Sequence, residues 1–411
     1  MPTEPLCVFE HEKLRVGERG FTRTHFKRLL AWNEANGYKY FSAGPSSIKF
    51  AQYVGVIQVG DLVIEILPKA DATGDEKTWQ QALLDMLSLV HDLPLSSTTE
   101  SHLHKRRSSI LDFFFGLYLE DVYGLVRRGL VKKYHHTTGN QAVWKGRLHW
   151  PGHLKENLIR KERFHVVHQV YDRDHVLHAL LKRALSIIAG TTLDPLLQGK
   201  AKDLSAAFED VDDRLLTTAA INRIKLSRKT EPYARAVRLA QMIVLDHAPD
   251  LKGGRSNLIG LVFDMNQLFE RVVLKLMRRS ASRYPELAIS GQDSRRFWGT
   301  KTIRPDIVIR RGEEVVQIID TKWKVPSNGK PSDDDLKQMY VYNLQFGSTQ
   351  SMLLYPHTAT ATIVSEAYEE WTWAERRNHG CTMEHIQLFD PKSGNVIRGA
   401  CDTLLATIAR T

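Results

Sequence analysis

The sequence TIRPDIVIRRGEEVVQIIDTKW, residues 302–323, decides the fold of the C-terminal third of the chain. Two runs rich in β-branched residues flank a short segment that contains Gly312, which is typical of a β-hairpin. Side chains alternate across a strand, so Asp320 and Lys322 are expected on the same face. The partner strand can bring Asp306 alongside them. The hairpin therefore predicts that two carboxylates and an ammonium group converge.

These residue types suit metal-assisted hydrolysis of a phosphodiester. Burying an aspartate at the end of an Ile/Val strand costs several kcal/mol unless a cation neutralises it. Mg²⁺, or Mn²⁺ in its place, is held by one or two carboxylates together with water and phosphate oxygens. We therefore expect Asp306 and Asp320 to bind the metal, and Lys322 to orient or deprotonate the attacking water and offset developing charge. A strand-end ion pair between Asp320 and Lys322 is the alternative.

A helix is predicted just upstream of this hairpin, with Glu270 beside its apolar stripe. Glu270 could therefore reach the metal through water and assist catalysis, although a solvated helix acid is the simpler alternative. The apolar residues that follow helical spacing are Leu261, Met265, Leu268, Val272 and Leu276.

A second helix is predicted downstream, where Ser332 begins an S-x-x-D sequence typical of a helix N-cap. Gln338 and Tyr342 lie one turn apart on it. They could support the surroundings of Lys322 or contact the DNA backbone, and packing or capping roles are the alternative. Further DNA contacts are expected from Lys324 and from Arg295 and Arg296 in the sequence RRFW, which must lie near the site.

Composition agrees with a globular protein that has an anionic partner. The chain has 411 residues and a net charge of +10, which favours nucleic acid without identifying it. No stretch approaches the roughly 20 apolar residues of a membrane span, so we expect a cytoplasmic protein without membrane contact. Three separated cysteines indicate neither a disulfide framework nor a zinc site, and the 17 histidines follow no zinc pattern. Several basic clusters could follow phosphates or could form solvated helix faces: 105–107, 127–128, 132–133 and 278–279.

The pattern along the chain predicts a multidomain α+β protein. A β-rich N-terminal domain (1–76) contains a hairpin around Gly60-Asp61. A mainly helical middle domain (77–252) is interrupted by turn signals between Tyr134 and His153. The last part (253–411) has an α/β order of elements that suits a mixed sheet flanked by helices. The predicted helices of the middle domain are 79–93, 110–130, 175–188 and 233–247.

At these residues the sequence resembles the McrC family, the nuclease subunits of McrBC-type modification-dependent restriction systems, which carry a PD-(D/E)xK catalytic core. The resemblance extends along nearly the whole chain, in the order of the family. Two positions depart from the family pattern: Thr321 stands where Ala is common, and Lys145 stands where Arg is usual. The other stretches that carry the resemblance are YVGV (53–56), IEILPK (64–69), RGL (128–130) with Tyr134, KGRL (145–148) and DMNQLFE (264–270).

This resemblance implies that Asp306, Asp320 and Lys322 are catalytic, that Glu270 assists the metal, and that an McrB-like AAA+ GTPase hexamer is the partner. The N-terminal domain would dock on that ring, residues 253–411 would form a restriction-endonuclease-like α/β domain with a mixed sheet, and the complex would act on modified double-stranded DNA. The sequence contains no G-x-x-x-x-G-K-[ST] loop, so nucleotide hydrolysis must come from another chain. A catalytically idle activator of the ring and a free-standing structure-specific nuclease are the two alternatives.

Overall fold

The computed structural model describes residues 5–69, 75–93, 109–245, 247–248, 258–326, 329–357, 363–369 and 379–410. The strands are β1 (Leu6–Phe9), β2 (Lys13–Arg15), β3 (Phe41–Gly44), β4 (Ser47–Phe50), β5 (Tyr53–Val59), β6 (Leu62–Leu67), β7 (Lys133–Gln141), β8 (Arg147–Leu148), β9 (Phe164–Asp172), β10 (His247–Ala248), β11 (Leu258–Asp264), β12 (Leu287–Gly291), β13 (Arg295–Trp298), β14 (Lys301–Ile303), β15 (Ile307–Arg311), β16 (Glu314–Thr321), β17 (Gln350–Pro356), β18 (Val364–Ala367) and β19 (Gly380–Ile386). The helices are α1 (Arg23–Ala35), α2 (Glu76–His91), α3 (Ile110–Arg128), α4 (Trp150–Asn157), α5 (Val176–Thr191), α6 (Pro195–Ser205), α7 (Thr218–Asn222), α8 (Ala234–Leu245), α9 (Met265–Ser280), α10 (Asp333–Phe346) and α11 (Asp402–Arg410).

The chain forms two compact units. The middle unit consists of the described residues within Gln58–Asp61 and Leu111–Leu261. The terminal unit consists of those within Pro5–Ile57, Leu62–Ile110 and Val262–Thr411. The terminal unit thus combines most of the N-terminal segment with the C-terminal third, although the sequence predicts that these two parts form separate domains. The predicted boundary at residues 252–253 lies outside the described residues.

The terminal unit contains a six-stranded mixed sheet in the order β12-β15-β16-β17-β19-β18. Strands β15 and β16 form the predicted antiparallel hairpin, with Ile307 opposite Ile319. Strand β17 runs parallel to β16 and to β19, while β12 and β18 are antiparallel edge strands. The predicted order of a β-rich N-terminal part, helices in the middle and a C-terminal mixed sheet is confirmed.

The N-terminal segment and the C-terminal third of the terminal unit are joined by buried polar contacts. Strand β1 pairs in parallel with β6, which lies beside β5 in the predicted Gly60-Asp61 hairpin. The carboxylate of Asp85 on α2 accepts a hydrogen bond of 2.7 Å from the backbone N–H of Val396 and also pairs with Arg398. The Trp323 indole donates a 2.7 Å hydrogen bond to Glu10. Each pair spans more than 300 residues of sequence, so this unit requires both ends of the chain.

The middle unit is largely helical, as expected, but three local features differ from the prediction. Strands β7 and β8, which lie mostly in the segment Tyr134–His153 where turns were predicted, form an antiparallel sheet with β9. Pro151-Gly152, also predicted as a turn, lies in the first turn of α4. Proline is tolerated there because the N–H groups of the first turn have no partner within the helix. The helix predicted for 233–247 ends at Leu245, and His247 pairs with Ile259 of β11.

Leu261 is a further correction, because it lies in strand β11 and not on the predicted helix stripe. Helix α9 begins only at Met265, where the carboxylate of the N-cap Asp264 accepts a 3.1 Å hydrogen bond from the N–H of Gln267. The other four residues of the predicted stripe are buried: Met265, Leu268, Val272 and Leu276. The N-cap therefore determines where α9 begins, whereas apolar spacing alone predicted a start one turn too early.

Acid should destabilise the middle unit through His178. Its ring is fully buried beside His175 and Tyr233, and its Nδ1 lies 2.8 Å from the carbonyl oxygen of Arg173. Burial, with the neighbouring His175, lowers the pKa of His178 to about 3. The unfolded chain takes up a proton below pH ~6.5 while the folded chain does not, so stability is full above that pH and falls below it.

Between pH 7.5 and 5 we expect the free energy of unfolding to decrease by about 2 kcal/mol on account of His178. Urea unfolding followed by circular dichroism at several pH values measures this loss. His178→Asn retains a donor for the Arg173 carbonyl but cannot titrate, so its stability should depend less on pH. An unchanged pH dependence in that variant would contradict the assignment.

Candidate active site

Strand β16 positions the centre of the candidate site. Asp320 is its penultimate residue and is only 3% exposed, and Lys322 follows the strand. Their side chains meet on one face, with Lys322 Nζ 2.7 Å from Asp320 Oδ2. The ion pair that was considered as an alternative is therefore present. It does not account for the third residue, Asp306, whose Oδ2 accepts 2.8 Å hydrogen bonds from both the N–H and the hydroxyl of Thr321.

Helix α10 closes the site around Lys322. The ammonium group lies 3.2 Å from Gln338 Oε1 and 3.2 Å from Asp335 Oδ1, in addition to Asp320. The amide of Gln338 donates to Tyr342 at 2.7 Å and to Asp320 at 3.3 Å. The Gln338–Tyr342 pair predicted from helical spacing is therefore formed, and Gln338 contacts both Asp320 and Lys322.

Glu270 is buried at 8% exposure, so the alternative of a solvated helix acid is wrong. Its Oε1 accepts a 2.9 Å hydrogen bond from the side chain of Gln292. Burial, followed by the charge of Asp306, raises the pKa of Glu270 to about 7. Helix α9 therefore directs this acid toward the same centre as Asp306.

Negative charge is concentrated in this centre. Burial, and next the charge of Asp306, raises the pKa of Asp320 to about 6, although Lys322 opposes the shift. Burial alone would lower the pKa of Lys322, but the charge of Asp320 raises it overall. A second cation at this place would reduce the repulsion between the two aspartates.

The residues fit a magnesium ion held mainly by two carboxylates. Within the described ranges, no group of three or more His, Cys, Asp or Glu side chains is arranged to hold a metal. Magnesium commonly uses one or two protein carboxylates and completes its coordination with water and phosphate oxygens. Asp306 and Asp320 meet that requirement, and the role of Glu270 as a ligand stays a prediction.

The comparison with protein families decides the relationship of this chain. A family model described as "McrBC 5-methylcytosine restriction system component" matches residues 48–356. The chain belongs to this McrBC family. The resemblance noted from the sequence motifs is thereby confirmed.

Two solved structures share the fold of this McrBC family member. One is a chain from the assembly of Thermococcus gammatolerans McrB AAA+ hexamers with bound McrC, with a TM-score of 0.68 and 18% identity over 99% of this chain and 98% of that chain. The other comes from the Thermococcus gammatolerans McrBC complex, with a TM-score of 0.50 and 19% identity over 67% and 88% of the two chains. No curated protein matches.

Two side chains of this McrBC protein contribute to the site without having been predicted to do so. Thr321, noted only as a departure from the family pattern, holds Asp306 through its hydroxyl. Asp335 contacts Lys322 and also Lys324, whose Nζ lies 2.6 Å from its Oδ2. Hydrogen bonds from Ser332 and Lys324 outweigh the effect of burial and lower the pKa of Asp335 to about 2. The S-x-x-D signal located Asp335 but indicated only a cap.

The residues predicted to contact DNA differ in their exposure and in their contacts within the protein. Arg296 is exposed. Arg295 is held against α10, where its guanidinium donates to the carbonyl of Gln345 at 2.8 Å and lies 4.3 Å from the ring centre of Phe346. Tyr342 is buried beside Gln338 in the candidate site, with its hydroxyl 3.3 Å from the carbonyl oxygen of Arg304. Arg295 and Tyr342 therefore make contacts within the protein, and their contact with DNA stays a prediction.

Proposed function

We propose that this protein is the nuclease subunit of an McrBC-like restriction complex and hydrolyses phosphodiester bonds of modified double-stranded DNA with Mg²⁺ or Mn²⁺. The observation that carries the proposal is the convergence of Asp306, Asp320 and Lys322 at the end of β16, enclosed by Gln338. An isolated ion pair would not need a second aspartate whose charge raises the pKa of the first. A site in which two carboxylates bind a divalent cation together with phosphate oxygens accounts for it.

Each of these side chains has a distinct task in hydrolysis. Asp306 and Asp320 would hold Mg²⁺, which polarises the scissile phosphate and lowers the pKa of the attacking water when bound. Thr321 fixes the carboxylate of Asp306 through two hydrogen bonds, which limits its rotation. The three acceptors around Lys322 favour the protonated ammonium group. Lys322 therefore acts as a fixed positive charge toward the phosphate oxygens.

The partner of this subunit is proposed to be an AAA+ GTPase hexamer. Family membership and the fold shared with a chain of the McrB–McrC assembly support this proposal. The sequence lacks a P-loop of its own, so GTP hydrolysis requires a second chain. In this division of labour the partner uses GTP and recognises the modified base, while this chain cuts.

The function is tested by combining the full chain with its AAA+ partner, GTP and plasmid DNA that contains or lacks 5-methylcytosine. We expect cleavage of the methylated plasmid with Mg²⁺ or Mn²⁺ and none with EDTA, together with faster GTP hydrolysis by the partner. Stimulated GTP hydrolysis without any cleavage would instead identify an idle activator. Equal cleavage without the partner would identify a free-standing nuclease.

A further inference from the structure

The connection between β12 and β15 forms an exposed arm at the edge of the candidate active site. These strands are antiparallel neighbours, yet the chain between them extends outward as the hairpin of β13 and β14. Gln292 closes the base of this arm, because its N–H donates a 2.9 Å hydrogen bond to the carbonyl of Asp306. Its side chain donates to Glu270. The arm therefore starts between two acids of the site.

The base of the arm is fixed on both strands. On the first strand, Arg295 packs on Phe346 and donates to the carbonyl of Gln345. Just after the second strand, the Tyr342 hydroxyl donates to the carbonyl oxygen of Arg304. All these partners belong to α10, which also carries Gln338. The arm is thus held in a defined position relative to the residues that surround Lys322.

The tip presents aromatic rings to solvent. Trp298 is 75% exposed and Phe297 is 49% exposed, although rings of this size are usually buried. The pairing register shifts between Arg296 and Trp298, so Phe297 occupies a β-bulge. Gly299 turns the chain with a φ of +56°, directly after Trp298.

Positive charge surrounds these rings. Residues 295–304 contain four Arg or Lys residues and no Asp or Glu. Arg296, Lys301 and Arg304 are exposed, and the charge of Arg304 acts on Glu270 in the site. Exposed aromatic rings among cations suit a nucleic acid, because phosphates pair with the cations and bases stack on the rings.

We propose that this arm binds the DNA beside the scissile phosphate. Arg296, Lys301 and Arg304 would contact phosphates, and the Trp298 ring would stack on a base that has lost its neighbour in the duplex. Such wedges are used where a protein bends or opens a duplex. The proposal rests on the nuclease function proposed above and identifies how its substrate is held. Because the arm is fixed to α10 and hydrogen-bonded to Asp306, it would hold the DNA backbone at a defined position relative to the carboxylates proposed to bind the metal.

The charge part is tested by fluorescence anisotropy of the full chain with a fluorescein-labelled duplex in EDTA, so that no cleavage interferes. We expect the double substitution Arg296→Glu with Lys301→Glu to weaken binding at least about tenfold. The slope of the logarithm of the binding constant against the logarithm of the salt concentration should become shallower by about 2, since two phosphate contacts are lost. Lys13→Glu with Lys49→Glu is the matched control, because these lysines are exposed and face each other across β2 and β4. The control should bind within about twofold of the unsubstituted chain, since it changes net charge equally without removing a phosphate contact.

The aromatic part is tested with a set of duplexes that carry 2-aminopurine at successive positions. The fluorescence of this base rises where it loses a stacked neighbour without stacking on the Trp298 ring. We expect Trp298→Ala to abolish this rise and weaken binding about tenfold, and Trp298→Phe to restore much of both. Absence of DNA binding, or of the fluorescence rise, with the unsubstituted chain overturns the proposal, as does an equal loss of binding in the lysine control.

If the arm variants lose GTPase stimulation while their DNA binding is unchanged, the arm contacts the protein partner instead. Failure of metal-dependent cleavage, with these binding results intact, would refute only the nuclease function.

Discussion

Asp320→Ala should abolish metal-dependent DNA cleavage while leaving the protein folded. Asp320 is one of two aspartates that converge at the end of β16, and its loss removes half of the proposed carboxylate ligands. A metal ion that acts as a Lewis acid on a phosphate contributes several kcal/mol to transition-state stabilisation. Each 1.36 kcal/mol corresponds to a factor of ten, so we expect cleavage to slow by about a thousandfold or more. Cleavage rates with the partner and GTP measure this effect.

The fold should tolerate this substitution because Lys322 keeps Asp335 and Gln338 as acceptors. Repulsion between Asp320 and Asp306 disappears at the same time. Stimulation of the GTPase should persist, and binding of Mn²⁺ followed by electron paramagnetic resonance should weaken. Asp334→Ala is the matched control, since this side chain is 98% exposed. Cleavage by Asp320→Ala at the unsubstituted rate would refute the assignment.

Glu65→Ala should be the most destabilising substitution that we predict outside the active site. Glu65 is fully buried in β6. Its carboxylate accepts hydrogen bonds of 2.7 Å from the N–H of Ile110, the first residue of α3, and 2.8 Å from the side chain of Gln80. Alanine removes the acceptor from both donors and leaves a cavity. We expect the free energy of unfolding to fall by about 3–5 kcal/mol.

Urea unfolding of the full chain measures this loss. Glu65→Gln retains one acceptor oxygen and should lose roughly half as much. Glu366→Ala, on the exposed face of β18, should change stability by less than about 0.5 kcal/mol. Equal midpoints for Glu65→Ala and Glu366→Ala would show that the buried carboxylate does not support the fold.

The sequence predicted the hairpin of β15 and β16 well because the signals that determine it are local. Alternation along residues 314–321 and the turn at Gly312 determine which side chains share a face. The same locality explains the cap at Ser332 and the pair of Gln338 and Tyr342. These features need only the geometry of a strand or of a single helical turn.

The contacts that were missed join residues distant in sequence. Glu10 and Trp323 lie 313 positions apart, and no periodic pattern relates them. Asp335 carried a local signal, but its contact with Lys322 depends on how α10 packs on the sheet. Likewise, RRFW indicated nucleic acid, whereas only the structure distinguishes the anchored Arg295 from the exposed Trp298. Charge and aromatic content favour a nucleic acid as the partner but do not give the function of each side chain.

The hydrogen bond between Glu10 and Trp323 has a consequence for folding during synthesis on the ribosome. A ribosome that adds about 5–20 residues per second needs on the order of tens of seconds to synthesise the segment between them. During that time Glu10 and Asp85 lack their C-terminal partners, so chaperones have a period in which to protect the emerged segment. A fragment that starts after the middle unit would lack the Glu10 acceptor for Trp323 and should be poorly soluble when produced alone.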